Sequence, residues 1–412
     1  MTLWAVGLVW RWLPASRYSS SERPVSGASE YTSPKGFEFE TGVAGMWGKL
    51  VSRVLVGGGI VIALVLGWGL WLAAEMGEFR QVRNVHPGEC VAVPGMPGGE
   101  DITIHPRGHL AYISSDDRRS VMRGEPVPGA IFAYALDEPQ AQPINLTPEA
   151  GVDFRPHGID LFVGEDGREV LFVVNHPGES LFGAPEGQTG PAHTVEIFDI
   201  EQGQLEHRST VAGELMISPN DVVAVDAERF YFTNDHGTRP GWQRELEDYL
   251  RLPWASVVYF DGEQMVEVAE GLTFANGINL SADGRRLYVA ETTRGTVREY
   301  ERDVATGALT HWRTMDLDFG VDNIEVDADG DLWVGGHVKL LTFVRHVDNP
   351  EVLAPSQVVR VRLDEDDYRV ETVFMDDGAL LSGASVGAWH EGRLLVGSVF
   401  EDHIVDCRET RP

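Results

Sequence analysis

The sequence predicts an all-β body, a six-bladed β-propeller, behind one N-terminal membrane-spanning helix. Three observations predict it. A strand–turn–strand unit recurs along the chain, no long amphipathic helix follows Arg83, and an unbroken apolar run precedes it. The copies of the unit are ITIHPRGHLAYIS, IDLFVGEDGREVLFVV, VVAVDAERFYFTN, INLSADGRRLYVA, IEVDADGDLWVG and VGAWHEGRLLVGSV, six in all. Their turns, at Arg107-Gly108, Asp166-Gly167, Ala227-Glu228, Asp283-Gly284, Asp329-Gly330 and Glu391-Gly392, lie roughly 45–60 residues apart. Asp-Gly between β-rich runs signals a hairpin. Further strands are expected at Thr194–Ile200, Ser256–Phe260, Thr296–Glu301 and Gln357–Leu363. Several strands per unit at this period indicate a propeller; a pair of β-sandwiches would not need such regular spacing.

The run from Val54 to Ala74 carries no charge and matches the roughly 20 apolar residues that span a bilayer. Lys49 and Arg53 precede it and Glu75 and Glu78 follow, which favours a cytoplasmic N-terminus and an exported body, although Arg80 and Arg83 weaken the asymmetry. A cleaved signal peptide is the rival, but the run is long for one and no A-x-A cleavage site is evident. An uncleaved anchor is therefore expected over residues 46–80 and the propeller over residues 83–412. Residues 1–45 are rich in Ser, Pro and Gly without a sustained period, and are expected to be disordered or an upstream extension of the reading frame, with Met46 as the true start.

Apolar residues make up 43% of the 412 residues and charged residues 24%, ordinary for a folded soluble body. The formal net charge of −31 argues against a nucleic-acid partner, because phosphate backbones need Lys and Arg to displace counterions. A solvated surface accounts for most of this acidity. Cation binding needs only a few of the carboxylates. Cys90 and Cys407 are the two cysteines. They are either unrelated buried thiols or one disulfide tying the start of the body to its end, which requires an oxidising compartment.

Each hairpin is preceded by polar residues at a similar phase of the repeat: Glu100-Asp101, Pro156-His157-Gly158, Asn220-Asp221, Asn276-Gly277, Asp322-Asn323 and Ser385. Equivalent positions of successive blades are related by rotation about the central channel, so these residues meet on the axis. Taken singly, each Asn is an ordinary turn residue; the case rests on their coincidence. Carboxylates and carboxamides are hard oxygen ligands and suit calcium better than zinc. Glu100, Asn220, Asn276, Asp322 and Asn323 are the candidate set. Asp101 and Asp221 are expected to point away from their neighbours along an extended chain, toward a second, deeper ion. His157 lies at the ring position of the second copy and His176 ends that hairpin's second strand, so the two imidazoles can meet above the metal and one can serve as a general base. A lone His at a strand end is ordinarily a surface residue. Asp235, His236 and His337 end the second strands of their copies and are candidates for the same rim.

The segments GGEDITIHPRGHLAYISS, FRPHGID, VLFVVNHPGES, SPNDVVAVDAERFYFTNDH, EGLTFANGINLSADG, VDNIEVDADGDLWVGGH and GRLLVGSVF closely resemble the paraoxonase/arylesterase family, in order and with similar spacing, from about Cys90 to Cys407. The chain also resembles the wider gluconolactonase-like propellers. The resemblance implies a six-bladed propeller with two calcium ions in its tunnel. It implies that Glu100, Asn220, Asn276, Asp322 and Asn323 hold the catalytic ion, and that Asp101, Asp221 and the backbone carbonyl of Ile159 hold the structural one. It also implies a His157–His176 dyad that activates water, a Cys90–Cys407 disulfide and a retained hydrophobic N-terminus. Two departures stand out: Gly336 replaces the free cysteine that many members carry before His337, and Ser180–Gly190 is longer than usual and would reshape the pocket rim.

The expected function is a calcium-dependent hydrolase of small lactones and aryl esters, anchored to a membrane with the propeller on the exported side. No Gly-x-Ser-x-Gly elbow is present, which argues against a serine hydrolase. The alternatives are a gluconolactonase-type sugar-lactone hydrolase, which would need a more polar pocket, and a non-catalytic calcium-bound propeller that binds a protein or glycan partner.

Overall fold

The computed structural model describes residues 42–412 apart from 108, 139–140, 152, 178–191, 366 and 410–412. The expectations for residues 1–41, for the turn residue at 108 and for the long segment Ser180–Gly190 lie outside the described residues. The chain divides into two compact units, one ending at Leu72 and one running from Ala73 to Pro412. The helix Gly42–Glu75, most of which lies in the first, contains a stretch, Ser52–Glu75, that is long and apolar enough to cross a membrane, with a mean hydropathy of 2.2. At about 1.5 Å per residue this stretch spans about 36 Å, more than the roughly 30 Å of a hydrocarbon core.

The second unit is a six-bladed β-propeller: among the described residues it holds six four-stranded antiparallel sheets. The inner strands are Gly99–Ile104, Pro156–Val163, Pro219–Ala224, Ala275–Leu280, Gly320–Val326 and Ala384–His390. Each is paired to the next strand by the hairpin the sequence predicts, and each touches the inner strands of both neighbouring blades, the first touching the last. Turn chemistry explains the hairpins. Gly167 and Gly330 take φ of 87° and 84°, a region that costs glycine little. The Ala227-Glu228 turn lacks glycine, and there the Asp226 carboxylate accepts from the amides of Glu228 and Arg229 at 2.9 and 2.8 Å instead.

Packing is between blades. Among the described residues the apolar side chains form six clusters, one at each junction of neighbouring blades. The second strand of each blade is covered on both faces, which is why runs such as Val170–Val174 are apolar at every position. Sheets alone do not close such a ring. The sixth blade takes its outermost strand from the start of the body: Glu89–Pro94 pairs antiparallel with His403–Arg408, placing Cys90 opposite Cys407, and a disulfide joins the two across a separation of 317 residues. Beside it, the buried Arg393 guanidinium meets the Asp406 carboxylate and donates to the Leu136 carbonyl of the first blade, and the Tyr134 hydroxyl donates to Asp406 at 3.1 Å.

One irregularity repeats around the ring. Every inner strand loses register with its partner near its start, between Gly99 and Asp101, Pro156 and Ile159, Pro219 and Val222, Ala275 and Ile278, Val321 and Ile324, and Ala384 and Val386. A bulge frees a residue from the ladder and re-aims its side chain. The residues freed here are the polar ones singled out by the repeat.

Because the disulfide closes a loop of several hundred residues, replacing Cys90 and Cys407 together by Ala is expected to lower unfolding stability by about 2–5 kcal/mol. Urea unfolding of the full chain in detergent, with and without the substitutions, measures it; equal midpoints would show that strand pairing and Arg393 close the ring unaided.

Candidate metal centre and active site

The site is built at the inner-strand bulges, where adjacent blades come close enough that glycine is required. A Cβ on Gly158 would meet Asp221 Oδ1 at 2.3 Å, and one on Gly277 would meet the Asn323 Cα and the Asp322 carbonyl oxygen at 2.5 Å. These approaches set the second blade against the third and the fourth against the fifth. The Ser385 hydroxyl of the sixth blade donates to the Glu100 carbonyl of the first, and Asn323 Nδ2 donates to Glu100 Oε1 at 2.9 Å.

Glu100, Asn220, Asn276, Asp322 and Asn323 are all buried, at 5% exposure or less. Their amide nitrogens have partners: Asn220 Nδ2 faces Asp235 Oδ2 at 3.4 Å, and Asn276 Nδ2 donates to Thr292 Oγ1 at 3.1 Å. Their oxygens are different. Glu100 Oε2, Asn220 Oδ1, Asn276 Oδ1 and Asn323 Oδ1 are buried with no hydrogen-bond partner among the described residues. A buried acceptor left unmet costs about 1–3 kcal/mol, and most buried polar groups in folded proteins avoid it. Burial raises the pKa of Glu100 and of Asp322, against the opposing pull of Arg118 on Glu100 and of the His337 contact, 3.0 Å away, on Asp322.

A second acidic group continues along the inner strands. Asp101 accepts from the amides of Ile102 and Ile159 at 2.9 and 2.7 Å, and Asp221 accepts from those of Val222 and Ile278 at 2.7 and 2.8 Å. The predicted neighbour Ile159 thus meets Asp101 through its amide. Burial first, then the charge of Glu100 on Asp101 and of Asp101 on Asp221, pushes both carboxyls well above the usual range. Asp160 and Glu325, not foreseen from the sequence, belong to the same group: burial raises Asp160 to about 6, and burial with the charges of Asp101 and Asp160 raises Glu325.

The two predicted histidines meet, with His157 Nδ1 2.9 Å from His176 Nε2. His157 Nε2 lies 3.6 Å from Glu100 Oε1, at the edge of the oxygen cluster. A third imidazole joins them: His176 Nδ1 is 2.8 Å from His193 Nδ1. The sequence reading missed His193, yet it carried the signal. His176 follows Asn175, His193 precedes Thr194, and Asn175 and Thr194 are ladder partners. Burial lowers all three pKa values, His157 and His193 to about 4, so the cluster is neutral at pH 7.

Three short helices, Arg118–Met122, Trp242–Leu250 and Leu340–Asp348, join second to third strands of alternate blades at the end of the tunnel that carries the site. They cover two of the predicted rim groups. His236 bonds Asp235 Oδ1 at 2.7 Å and Asp248 Oδ1, on the second of these helices, at 2.8 Å. His337 is buried rather than open to the rim, its ring stacked on Phe343 at 3.6 Å. At Gly336 a Cβ would meet the Gly320 carbonyl oxygen at 2.1 Å, so the backbone here leaves no room for the cysteine the resemblance would suggest. Burial alone would lower His236, but Asp235 and Asp248 overcome it and raise its pKa to about 10. A histidine raised in the folded state adds stability that is full below its unfolded pKa, near 6.5, and is lost as pH rises through the folded value. His236 is therefore expected to stay protonated at pH 8, and the clamp of the helix Trp242–Leu250 to loosen only above about pH 9. A proton NMR titration of the His236 ring checks this; a midpoint near 6.5 would contradict it.

A family description of arylesterases matches residues 81–407. Serum paraoxonase/arylesterase 1 of Rattus norvegicus is 35% identical over 363 residues, covering 85% of this chain and 97% of the relative. Serum paraoxonase/arylesterase 2 of Gallus gallus is 36% identical, covering 86% and 98%. Serum paraoxonase/lactonase 3 of Homo sapiens is 35% identical, covering 86% and 98%. With one family matching nearly the whole propeller and relatives of this identity spanning most of both sequences, the chain belongs to the arylesterase family.

Proposed function

We propose that this protein is a calcium-dependent hydrolase of lactones and aryl esters. The observation that carries the proposal is the set of four buried oxygens, on four different blades, that no donor among the described residues meets: Glu100 Oε2, Asn220 Oδ1, Asn276 Oδ1 and Asn323 Oδ1. Oxygens of this kind fit a hard cation with flexible coordination, and calcium takes six to eight of them. With Asp322 they would hold one ion. Asp101 and Asp221, together with the Ile159 carbonyl, would hold a second; each carboxylate oxygen already accepts one backbone amide and keeps a further lone pair. A cation there would offset the neighbouring negative charges that help raise both acids, Glu100 on Asp101 and Asp101 on Asp221. The names of the relatives supply the substrate class: esters and lactones.

Calcium, when bound, would supply Lewis-acid stabilisation of charge on a substrate carbonyl oxygen. The rest is done by this chain's own groups. His157, neutral at pH 7, can take a proton from water at Nε2 and act as general base. His176 holds the imidazole of His157 through its Nδ1. The buried Arg118 disfavours a charged His157 and so keeps the base free before reaction. Glu100 lies beside the same nitrogen and attracts the proton once it arrives. The three helices at this end of the tunnel limit access to it.

The same reading sets the propeller on the exported side of a membrane. The disulfide requires an oxidising compartment, and the apolar helix can serve as the anchor.

Two outcomes follow. Removing calcium with a chelator is expected to abolish hydrolysis of an aryl ester and a δ-lactone and to lower the thermal midpoint, with both restored by added calcium, since a ligand of the folded state alone stabilises it. Activity that survives exhaustive chelation would end the proposal. His157→Gln is expected to lower lactone turnover by about 10²–10⁴-fold with calcium binding intact. Full turnover in that variant, measured beside a calorimetric calcium titration, would remove His157 as the base and leave the metal assignment standing.

A further inference from the structure

Two histidines and a glutamate meet far from the axial oxygens. His109 lies in the turn just before the strand Leu110–Ser115 of the first blade, His390 ends the inner strand of the sixth, and Glu391 follows it in the hairpin turn. The inner strand Ala384–His390 starts at the axial site, where Ser385 donates to the Glu100 carbonyl. His390 stands five residues further on, roughly 16 Å away at the opposite end of the tunnel. One ligand atom from each of the three side chains lies within 4.8 Å of the other two. The rings of His109 and His390 approach edge to face, with centroids 5.5 Å apart.

Nothing else engages these groups. Among the described residues no hydrogen bond or ion pair reaches any of the three side chains, and His390 Nε2 is sealed from solvent without a partner. A buried polar atom left unmet costs free energy. The backbone brings the three together. His390 and Arg393 are ladder partners across the Glu391-Gly392 turn, the Arg393 guanidinium donates to the Leu136 carbonyl, and the Leu136 amide donates to the His109 carbonyl at 2.6 Å. These contacts tie the two blades and leave both imidazoles uncommitted.

Two imidazoles and a carboxylate form a donor set for zinc and its neighbours, unlike the all-oxygen set on the axis. With bonds of about 2.0–2.2 Å, a tetrahedral ion holds its ligand atoms about 3.4 Å apart. Rotation of the exposed side chains of His109 and Glu391 closes the difference from 4.8 Å. The same exposure gives an ion a path from solvent. Glu409, with a carboxylate oxygen 3.8 Å from where a Cβ on Gly392 would stand, adds negative charge beside the group. Glu401, Asp402 and His403 lie equally close to one another, but both nitrogens of His403 are committed there, Nδ1 to Asp402 at 2.9 Å and Nε2 to the Leu380 carbonyl at 3.0 Å.

We propose that His109, His390 and Glu391 bind one divalent transition-metal ion of the zinc class, with water as a fourth ligand, and so staple the first blade to the sixth at the end of the tunnel remote from the axial oxygens. This site does not rest on the calcium reading of the axis.

The test uses the full chain in detergent with calcium in excess, so that zinc competes for no oxygen site. Calorimetric titration with zinc is expected to show a site that weakens about 100-fold or more in His390→Ala and about ten-fold or more in Glu391→Gln, since even outer-shell partners of a metal command losses of that size. Glu391 is exposed and unpaired, so its replacement by Gln leaves folding intact. His311→Ala, which removes an exposed histidine on the fourth blade, is expected to bind zinc as the wild type does. Zinc is also expected to raise the thermal midpoint of the wild type and not that of His390→Ala. Equal zinc affinity in the wild type, His390→Ala and Glu391→Gln, or an equal loss in His311→Ala, would overturn the inference. Zinc binding that disappears as calcium is raised would overturn it too.

Discussion

Six inner strands break register at the same point, and the chemistry of the site depends on that break. A regular ladder would leave backbone groups paired and side chains alternating between the two blade faces. The bulges instead turn Glu100, Asn220, Asn276, Asp322 and Asn323 out of the ladders while keeping them buried. The cost is visible in the electrostatics. Buried carboxylates at Glu100, Asp101, Asp221 and Asp322 all resist ionisation, and four oxygens have no donor among the described residues. A cation in the proposed site would offset that cost.

The rest of the fold holds the six bulges at one radius. Each blade buries its apolar faces against its neighbours, so the position of one inner strand is passed on to the next. A ring of this kind fails at its seam. Here the ring closes within the sixth blade, through the paired terminal strands and the disulfide, and at its junction with the first, through the Arg393–Asp406–Tyr134 group. Glu100 stands next to that seam and accepts from Asn323 of the fifth blade. Glu100 is thus held by contacts from the fifth and sixth blades. Stability and the geometry of the site are coupled there, whereas a change in an outer strand would reach the axis only through several layers of packing.

Much of this was legible in the sequence. The hairpins could be read because their strands alternate and their turns carry glycine or Asp. The axial residues could be read because rotation makes equal phase into equal position. The resemblance to a family then divided them between two groups. Other parts were hidden for physical reasons. The helices Trp242–Leu250 and Leu340–Asp348 are nine residues each, too short for a helical period to stand out. Asp160 and Glu325 follow the bulges, and a bulge shifts which residues face inward, so simple alternation could not assign them. His193 sits outside every recurring hairpin; only the pairing of Asn175 with Thr194 brings it beside His176. The sequence suggested an open rim position for His337, but the helix beginning at Leu340 folds over it and Phe343 covers its ring.

The axial oxygens are proposed to form a cation site of two parts. The most direct measurement is calorimetric titration of the chelator-stripped chain with calcium, for the wild type and for Asn276→Leu. Two bound ions per chain are expected in the wild type and one in the variant, with the ion at Asp101 and Asp221 retained. A folded wild-type chain that binds no calcium, or a variant that still binds both ions with unchanged affinity, would contradict it.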